Sequence, residues 1–296
     1  MNQKSPSPLS AIGSVVVFGR MIKLSHSVFA LPFAMAGVAL AARSHGVEGL
    51  QLVWIVIAMV SARSAAMGFN RLADRVMDGK NPRTWDRALP KGRIAPRAVT
   101  LIVGACCALF VFSAYQLNEL CFQLSPIALL VILSYSYFKR FTWATHLVLG
   151  LALAIAPVGA WIAVTGAFDP AMLWLAAAVL TWVAGFDIIY ACQDYEFDVA
   201  QGVHSIPRRF GIRPALVAAR VLHAATVVFL LAVHQVFDLH ALYLCGTVLA
   251  TGMLVYEHTL VKPDDLSKID VAFFNTNGLV SVVFFVFLLG DILWPI

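Results

Sequence analysis

The chain has 296 residues, of which 60% are hydrophobic and only 12% are charged. A soluble domain carries about 25% charged residues, so this composition excludes an ordinary water-soluble protein. The formal net charge of +5 is accompanied by no nucleic-acid-binding motif. The sequence therefore predicts an integral membrane protein.

Nine apolar stretches are long enough to cross about 30 Å of hydrocarbon as helices. Lipid offers no partner to open backbone groups, so helices are the expected spanning elements. Arg20 and Lys23 follow the first apolar patch without an evident cleavage site, which predicts no removable signal peptide. We predict an all-α membrane domain over residues 25–296, preceded by a cytoplasmic segment, residues 1–24. The predicted spans are 25–42, 50–69, 98–116, 120–138, 144–164, 171–192, 215–234, 239–257 and 271–292.

The basic residues fall almost entirely on one predicted side of the membrane. The N-terminal tail and the loops after the second, fourth, sixth and eighth spans hold 18 of the 21 Lys and Arg residues. The opposite loops hold only Arg43, while Arg63 and Arg220 lie within spans. Basic residues remain cytoplasmic in short loops. We therefore expect the N-terminus and the basic loops in the cytoplasm and the C-terminus outside.

Two groups of aspartates lie on that same side. Residues four apart in a helix lie one above another, so Asp74 and Asp78, headed by Asn70, should form a first acidic row that continues the second span. Asp194 and Asp198 should form a second acidic row that continues the sixth span. Carboxylates near hydrocarbon are costly, which favours a cationic ligand between the rows. Solvated loop acids paired with neighbouring arginines are the alternative interpretation.

Diphosphate binding through magnesium would use this arrangement. Mg²⁺ takes one or two carboxylates and completes its shell with water and phosphate oxygens. Basic side chains then neutralise the remaining phosphate charge. The candidates are Lys80, Arg87, Lys91 and Arg93 after the first row, and Lys139 and Arg140 after the fourth span.

The segments NRLADRVMD, YSYFKRFT and DIIYACQDYEFDVAQGVHSIPRRFG form three motifs, and together they resemble those of the UbiA superfamily of membrane prenyltransferases. NRLADRVMD with NPRTWDRALPKGRI resembles the first aspartate-rich motif, and DIIYACQDYEFDVAQGVHSIPRRFG resembles the second. YSYFKRFT resembles the basic motif after the fourth helix, although Ser136 stands where proline is common. The resemblance implies nine helices around a central cavity with a cytoplasmic cap. It also implies transfer of an isoprenoid chain to a ring carbon, usually an aromatic one.

The resemblance also implies roles for individual residues. Lys139 and Arg140 match positions expected near the diphosphate. Asp187, two turns before Asp194, would face the acceptor pocket or the allylic cation, with a structural hydrogen-bonding role as the alternative. Tyr135, Tyr137 and Tyr190 lie beside the motifs and are candidates to shield the cation by cation–π contact. The implied magnesium ligands are Asn70, Asp74, Asp78, Asp194 and Asp198.

The segments DIIYACQDYEFD and FFNTNGLVSV are similar to those of polyprenyltransferases of quinone biosynthesis. This similarity implies a polyprenyl diphosphate donor and an aromatic acid acceptor. The acceptor would be 4-hydroxybenzoate on the route to ubiquinone, or 1,4-dihydroxy-6-naphthoate on a route to menaquinone. The lipid bilayer is the other expected partner, with no nucleic acid and no required protein.

Two other classes use intramembrane or aspartate-rich sites. A proton- or cation-coupled transporter would spread its acids through the membrane depth and often shows an inverted repeat, whereas these acids cluster at one face. CDP-alcohol phosphotransferases need DG followed by AR, and MDGKNPRT offers only the DG. A prenyltransferase is therefore the favoured interpretation.

Overall fold

The structure, a computed structural model, describes residues 11–23 and 31–295. Within these ranges the chain is helical, with one isolated antiparallel bridge between Lys262 and Asp265 and no longer strand. The prediction of an all-α protein is confirmed. The helices are α1 (Ala11–Met21), α2 (Leu31–Ala41), α3 (Gly49–Lys80), α4 (Pro96–Leu117), α5 (Glu119–Phe138), α6 (Thr145–Thr165), α7 (Met172–Ala191), α8 (Tyr195–Gln201), α9 (Ile206–Phe210), α10 (Ile212–Val236), α11 (Ala241–Leu260) and α12 (Asn277–Leu293).

Seven helical stretches of the described chain are long and apolar enough to cross a membrane. Two predicted spans fall outside that number. The predicted span 25–42 is described only from residue 31 onward, where α2 has 11 residues. The predicted span 239–257 corresponds to α11, whose 20 residues include the polar pair Glu257 and His258 near the C-terminal end. The nine-helix arrangement therefore stays a prediction.

Close backbone contacts hold α2, α6 and α7 together. A Cβ atom added to Gly37 of α2 would lie 2.2 Å from the carbonyl oxygen of Pro157 in α6. A Cβ atom added to Gly150 of α6 would lie 2.3 Å from the carbonyl oxygen of Leu180 in α7. Helices in lipid associate largely through van der Waals contact, which small residues permit. These two glycines therefore fix α6 between its neighbours.

Helix α3 carries the first acidic row beyond the apolar part of the bundle. Its 32 residues span about 48 Å at 1.5 Å per residue, more than the roughly 30 Å of a hydrocarbon core. Asp74 and Asp78 lie in its last two turns, and the loop that begins at Asn81 follows directly. The predicted continuation of the second span as one helix is what the structure shows.

The second acidic row does not continue the sixth span in the same way. Helix α7 ends at Ala191, and a 3₁₀ turn, Cys192–Asp194, separates it from α8. Asp194 and Asp198 therefore follow the sixth span in one helical stretch, as expected, but the 3₁₀ turn changes the helical phase relative to Asp187. Gly202, with φ of 76°, then ends α8.

Candidate active site

A cavity of about 1230 Å³ extends through the bundle between α3, α5, α6 and α7. Ligand pockets commonly enclose about 300–1,000 Å³, so this cavity exceeds the usual range. One end is apolar, with Ile55 and Leu117 among its lining residues. Ile55 precedes Asp74 by 19 residues, which places the two about 28 Å apart along α3. The polar end is lined by Asn70, Asp74, Asp78, Asn81, Arg83, Lys139, Asp194 and Asp198.

Each carboxylate of the first acidic row has one oxygen paired with a base. Lys139 Nζ forms an ion pair with Asp74 Oδ2, which also accepts a hydrogen bond from Asn70 Nδ2 at 3.0 Å. Arg87 Nη1 lies 2.7 Å from Asp78 Oδ1. The remaining oxygens, Asp74 Oδ1 and Asp78 Oδ2, are buried without a hydrogen-bond partner. Two buried acceptors thus remain available to a further cation.

Asp194 of the second acidic row is held by residues that follow α3. Its Oδ1 accepts hydrogen bonds from Asn81 Nδ2 at 2.9 Å and from Arg83 Nε at 3.0 Å. Arg83 Nη2 forms an ion pair with Oδ2, and Nη1 donates to the Tyr190 hydroxyl at 2.9 Å. Burial alone would lower the pKa of the Arg83 guanidinium. The hydrogen bond and the negative charge of Asp194 outweigh that effect, so the pKa of Arg83 lies above its ordinary value.

Asp198 is more buried than Asp194 and has a different hydrogen-bond partner. It is buried, and its Oδ2 accepts a hydrogen bond from Ser205 Oγ at 2.7 Å. Ser205 also accepts a hydrogen bond from the backbone N–H of Arg208 and so caps α9. Both acidic rows thus line one cavity, although they are held by different means.

Five of the other residues suggested by the sequence line the same cavity. Arg93 pairs with Asp86 at 2.8 Å, and both side chains are more than half exposed. Asp187 Oδ2 lies 2.7 Å from His146 Nδ1. The five residues are Arg87, Arg93, Tyr135, Asp187 and Tyr190.

Four suggested residues do not line the cavity, and the structure corrects the expected orientation of their side chains. Lys91 Nζ lies 3.5 Å from the ring centroid of Trp85. The Arg140 guanidinium stacks on the ring of Tyr137, with 4.9 Å to the centroid, and donates to the carbonyl oxygen of Ala73. Tyr137 is 41% exposed. Lys80, at the end of α3, is also exposed and outside the cavity lining.

Several lining residues were not singled out from the sequence. Asn81, Arg83, His146 and Ser205 contact the acids. Ser205 lies in the same motif as its partner Asp198, whereas the other three are distant in sequence from the acids that they contact. Arg63 Nη1 is buried without a hydrogen-bond partner, and its location inside a predicted span was itself a signal, because an ionisable residue at membrane depth is a functional candidate by default.

The residues present fit a magnesium ion shared with a phosphate. Across the described ranges, no group of three or more His, Cys, Asp or Glu side chains could hold a metal ion. Mg²⁺ needs only one or two carboxylates when phosphate and water supply its other ligands. The partnerless oxygens of Asp74 and Asp78 are hard donors of the kind that Mg²⁺ prefers.

The acids and bases at one end of a long apolar cavity define a helical membrane protein whose cavity suits an apolar chain with a charged head group. The chain belongs to the UbiA prenyltransferase family, whose sequence model matches residues 30–287. It is therefore a membrane prenyltransferase and not an ion-coupled transporter.

Individual relatives agree with this assignment. The chain is 34% identical over 242 residues to the 4-hydroxybenzoate octaprenyltransferase of Aeromonas salmonicida, which covers 80% of this chain and 83% of the relative. It is 31% identical over 267 residues to that of Vibrio parahaemolyticus, covering 90% of each.

Solved structures share the fold. A UbiA homolog from Aeropyrum pernix K1 superimposes with a TM-score of 0.83 at 32% identity and covers 90% of this chain and 98% of its own. A UbiA homolog from Archaeoglobus fulgidus, bound to DMAPP and Mg²⁺, has a TM-score of 0.72 at 21% identity and covers 93% of this chain and 98% of its own. The latter likeness concerns the fold alone.

Proposed function

We propose that this enzyme transfers a polyprenyl group from its diphosphate to a ring carbon of a hydroxylated aromatic acid in quinone biosynthesis. The acceptor is 4-hydroxybenzoate or 1,4-dihydroxy-6-naphthoate. The observation that carries the proposal is the meeting of two acidic rows and several bases at one end of a long apolar cavity. The names of the relatives support an aromatic acid acceptor and the ubiquinone branch.

The polar end of the cavity binds the diphosphate. Asn70, Asp74 and Asp78 on one side, and Asp194 and Asp198 on the other, would hold Mg²⁺. When bound, Mg²⁺ supplies a positive charge that stabilises the leaving diphosphate. Lys139, Arg87 and Arg83 already lie against these acids. Their charges stabilise the leaving group by the same electrostatic effect.

Arg63 is suited to hold the carboxylate of the acceptor. It precedes Asn70 by 7 residues and Asp74 by 11, spacings that place all three on one face of α3. Its Nη1 is buried without a hydrogen-bond partner and lines the cavity. It lies about 16 Å from Asp74 along the helix axis. An aromatic acid between Arg63 and the diphosphate would therefore direct its ring toward the prenyl carbon.

Three aromatic side chains form a wall beside Asp187. The ring centroids of Tyr190 and Phe273 are 4.1 Å apart, and those of Phe186 and Phe273 are 5.2 Å apart. All three residues line the cavity. Aromatic faces attract a carbocation and exclude water from it, so this wall protects the allylic fragment.

The proposed transfer breaks one bond, forms one bond and releases one proton. The bond between C1 of the prenyl group and its phosphate oxygen breaks, and the electron pair leaves with diphosphate. The ring carbon ortho to the acceptor hydroxyl forms a bond to C1. The ring carbon bonded to C1 then loses its hydrogen as a proton, Asp187 accepts that proton, and the ring regains aromaticity.

The membrane arrangement belongs to the same proposal. Nine helices would surround the cavity, with the loops after α3 and α7 as a cytoplasmic cap, the N-terminus in the cytoplasm and the C-terminus outside. The concentration of basic residues on that face supports it. Single cysteines at Lys91 and at Trp294 of a cysteine-free variant should react with an impermeant reagent from opposite sides of sealed vesicles. Labelling of both from one side contradicts the arrangement.

One incubation tests the reaction. Purified protein with geranyl diphosphate, Mg²⁺ and a panel of phenolic and naphthoic acids should convert at least one acid to a product heavier by one geranyl group, as measured by mass spectrometry. EDTA should stop the transfer, and added Mg²⁺ should restore it. Transfer that persists in EDTA contradicts the metal proposal, and absence of any prenylated acid contradicts the aromatic acceptor.

A further inference from the structure

His146 is a buried side chain at the edge of the cavity that belongs to neither acidic row. It lies in the first turn of α6 and is 3% exposed. Its Nδ1 lies 2.7 Å from Asp187 Oδ2, and its Nε2 lies 3.3 Å from the backbone nitrogen of Ile206. It therefore joins α7 to the start of α9.

These contacts determine which imidazole nitrogen carries the hydrogen. A backbone N–H can only donate, so Nε2 of His146 accepts from Ile206 and carries no hydrogen. The hydrogen of the neutral ring is then on Nδ1, which donates to Asp187. Asp187 is held as a hydrogen-bond acceptor, and its side chain remains 23% exposed toward the cavity.

The segment Val203–Ile206 connects this pair with the diphosphate end. The backbone N–H of His204 donates to the carbonyl oxygen of Lys139 at 2.7 Å. Ser205 donates to Asp198, and Ile206 donates to His146. Residues 204–206 thus contact, in turn, the backbone of Lys139 and the side chains of Asp198 and His146.

We infer that His146 is a positioning residue for Asp187. It fixes the carboxylate in the orientation that accepts the acceptor's proton, and it joins that orientation to the segment that holds Asp198. The inference rests on the proposed function, in which Asp187 accepts a proton.

Two substitutions separate positioning from simple space filling. In His146→Gln, the amide nitrogen can donate to Asp187 while the amide oxygen accepts from Ile206. His146→Leu fills a similar volume with neither contact. We expect His146→Gln to retain kcat within about 3-fold of wild type. We expect His146→Leu to lose about 100-fold in kcat, the lower range for general acid–base catalysis, with KM for geranyl diphosphate changed less than about 3-fold.

A double-mutant comparison tests whether His146 acts through Asp187. Asp187→Asn should lower kcat about as much as His146→Leu, and the double variant should be no slower than the slower single variant. Thr165→Val, a polar-to-apolar change at the far end of α6, is the matched control and should retain wild-type kinetics. Additive losses, or full activity of His146→Leu, overturn the inference.

Two further observations keep the test decisive. If His146→Leu does not yield a monodisperse protein by size exclusion, His146→Asn replaces it, since its shorter amide cannot make both contacts and should lose activity that Gln retains. Equal activity of the Asn and Gln variants overturns the inference. A wild-type enzyme inactive on every acceptor refutes the proposed function itself, a result distinct from an active wild type with an unimpaired His146→Leu variant.

Discussion

The two acidic rows line the same cavity but are held in place differently. Asp74 and Asp78 lie on one unbroken helix, and each has one base-paired oxygen and one buried oxygen without a partner. Asp194 is the last residue of the 3₁₀ turn after α7, and both its oxygens contact Arg83, with Asn81 also bound to Oδ1. The first row therefore presents ready acceptors for a cation, whereas Arg83 already occupies the acceptors of Asp194.

This difference indicates separate tasks for α3 and for the loop that follows it. The helix sets the spacing of the first row through its backbone hydrogen bonds, without help from other elements. The loop then contacts the second row through Asn81 and Arg83. A guanidinium on Asp194 stands in for positive charge that a metal would supply. In the proposed function, Mg²⁺ at the second row would therefore compete with Arg83 for the oxygens of Asp194.

The largest expected effect is at the first row. Asp74→Asn keeps the shape of the side chain but removes the charge beside its partnerless oxygen, so we expect kcat/KM to fall about 1,000-fold, a loss of transition-state stabilisation in the range of about 4 kcal/mol. Asp194→Asn should lose about 100-fold or more. Prenyl transfer in membranes or detergent measures both, with the exposed Asp264→Asn as control. Near-normal turnover of either variant would exclude its metal role.

A smaller effect is expected at Lys139. Its ammonium contacts Asp74 and lines the cavity, and charged hydrogen bonds contribute about 1.5–3 kcal/mol. Lys139→Ala should therefore raise KM for the prenyl diphosphate about 10- to 100-fold, with less than a 3-fold change for the acceptor. Lys91→Ala, whose ammonium lies on Trp85 outside the cavity, is the matched control. A larger change in KM for the acceptor than for the prenyl diphosphate would contradict the placement of the diphosphate beside Lys139.

The smallest effect is expected at Arg83, where it sharpens the comparison between rows. Removing the guanidinium frees both oxygens of Asp194, so Arg83→Ala should lower the half-saturating Mg²⁺ concentration about 2- to 5-fold while kcat falls less than about 10-fold. Arg97→Ala, at an exposed base outside the cavity lining, should leave the Mg²⁺ dependence unchanged. An increase in half-saturating Mg²⁺ would show that Arg83 does not compete with the cation.

Sequence spacing predicted the first row well because both acids belong to one helix. The four-residue interval between Asp74 and Asp78 determines their relative direction once α3 continues past the apolar segment. The same interval also holds for Asp194 and Asp198, since residues 195–198 belong to α8, but the 3₁₀ turn that ends at Asp194 changes the direction of this pair relative to Asp187. No residue in CQD separates a helix from a 3₁₀ turn by propensity alone.

The spacing of residues along the sequence could not predict which distant segments contact one another. Arg83 and Asp194 are 111 positions apart, and His146 and Asp187 are 41 apart. Their pairing depends on how loops and helices pack, which no local pattern specifies. Spacing also cannot say whether a long basic side chain turns toward a cavity or onto a neighbouring ring, which is why Lys91 and Arg140 were misassigned.

The close contact between Gly150 and Leu180 affects the polar pair of His146 and Asp187 as well as the packing of α6 on α7. Gly150 lies one turn after His146 on α6, and Leu180 lies two turns before Asp187 on α7. Because Gly150 has no side chain, α6 and α7 approach closely enough for the His146 imidazole to contact the Asp187 carboxylate. Gly150→Ala would force α6 and α7 apart and so separate His146 from Asp187, although the added methyl group contacts neither side chain.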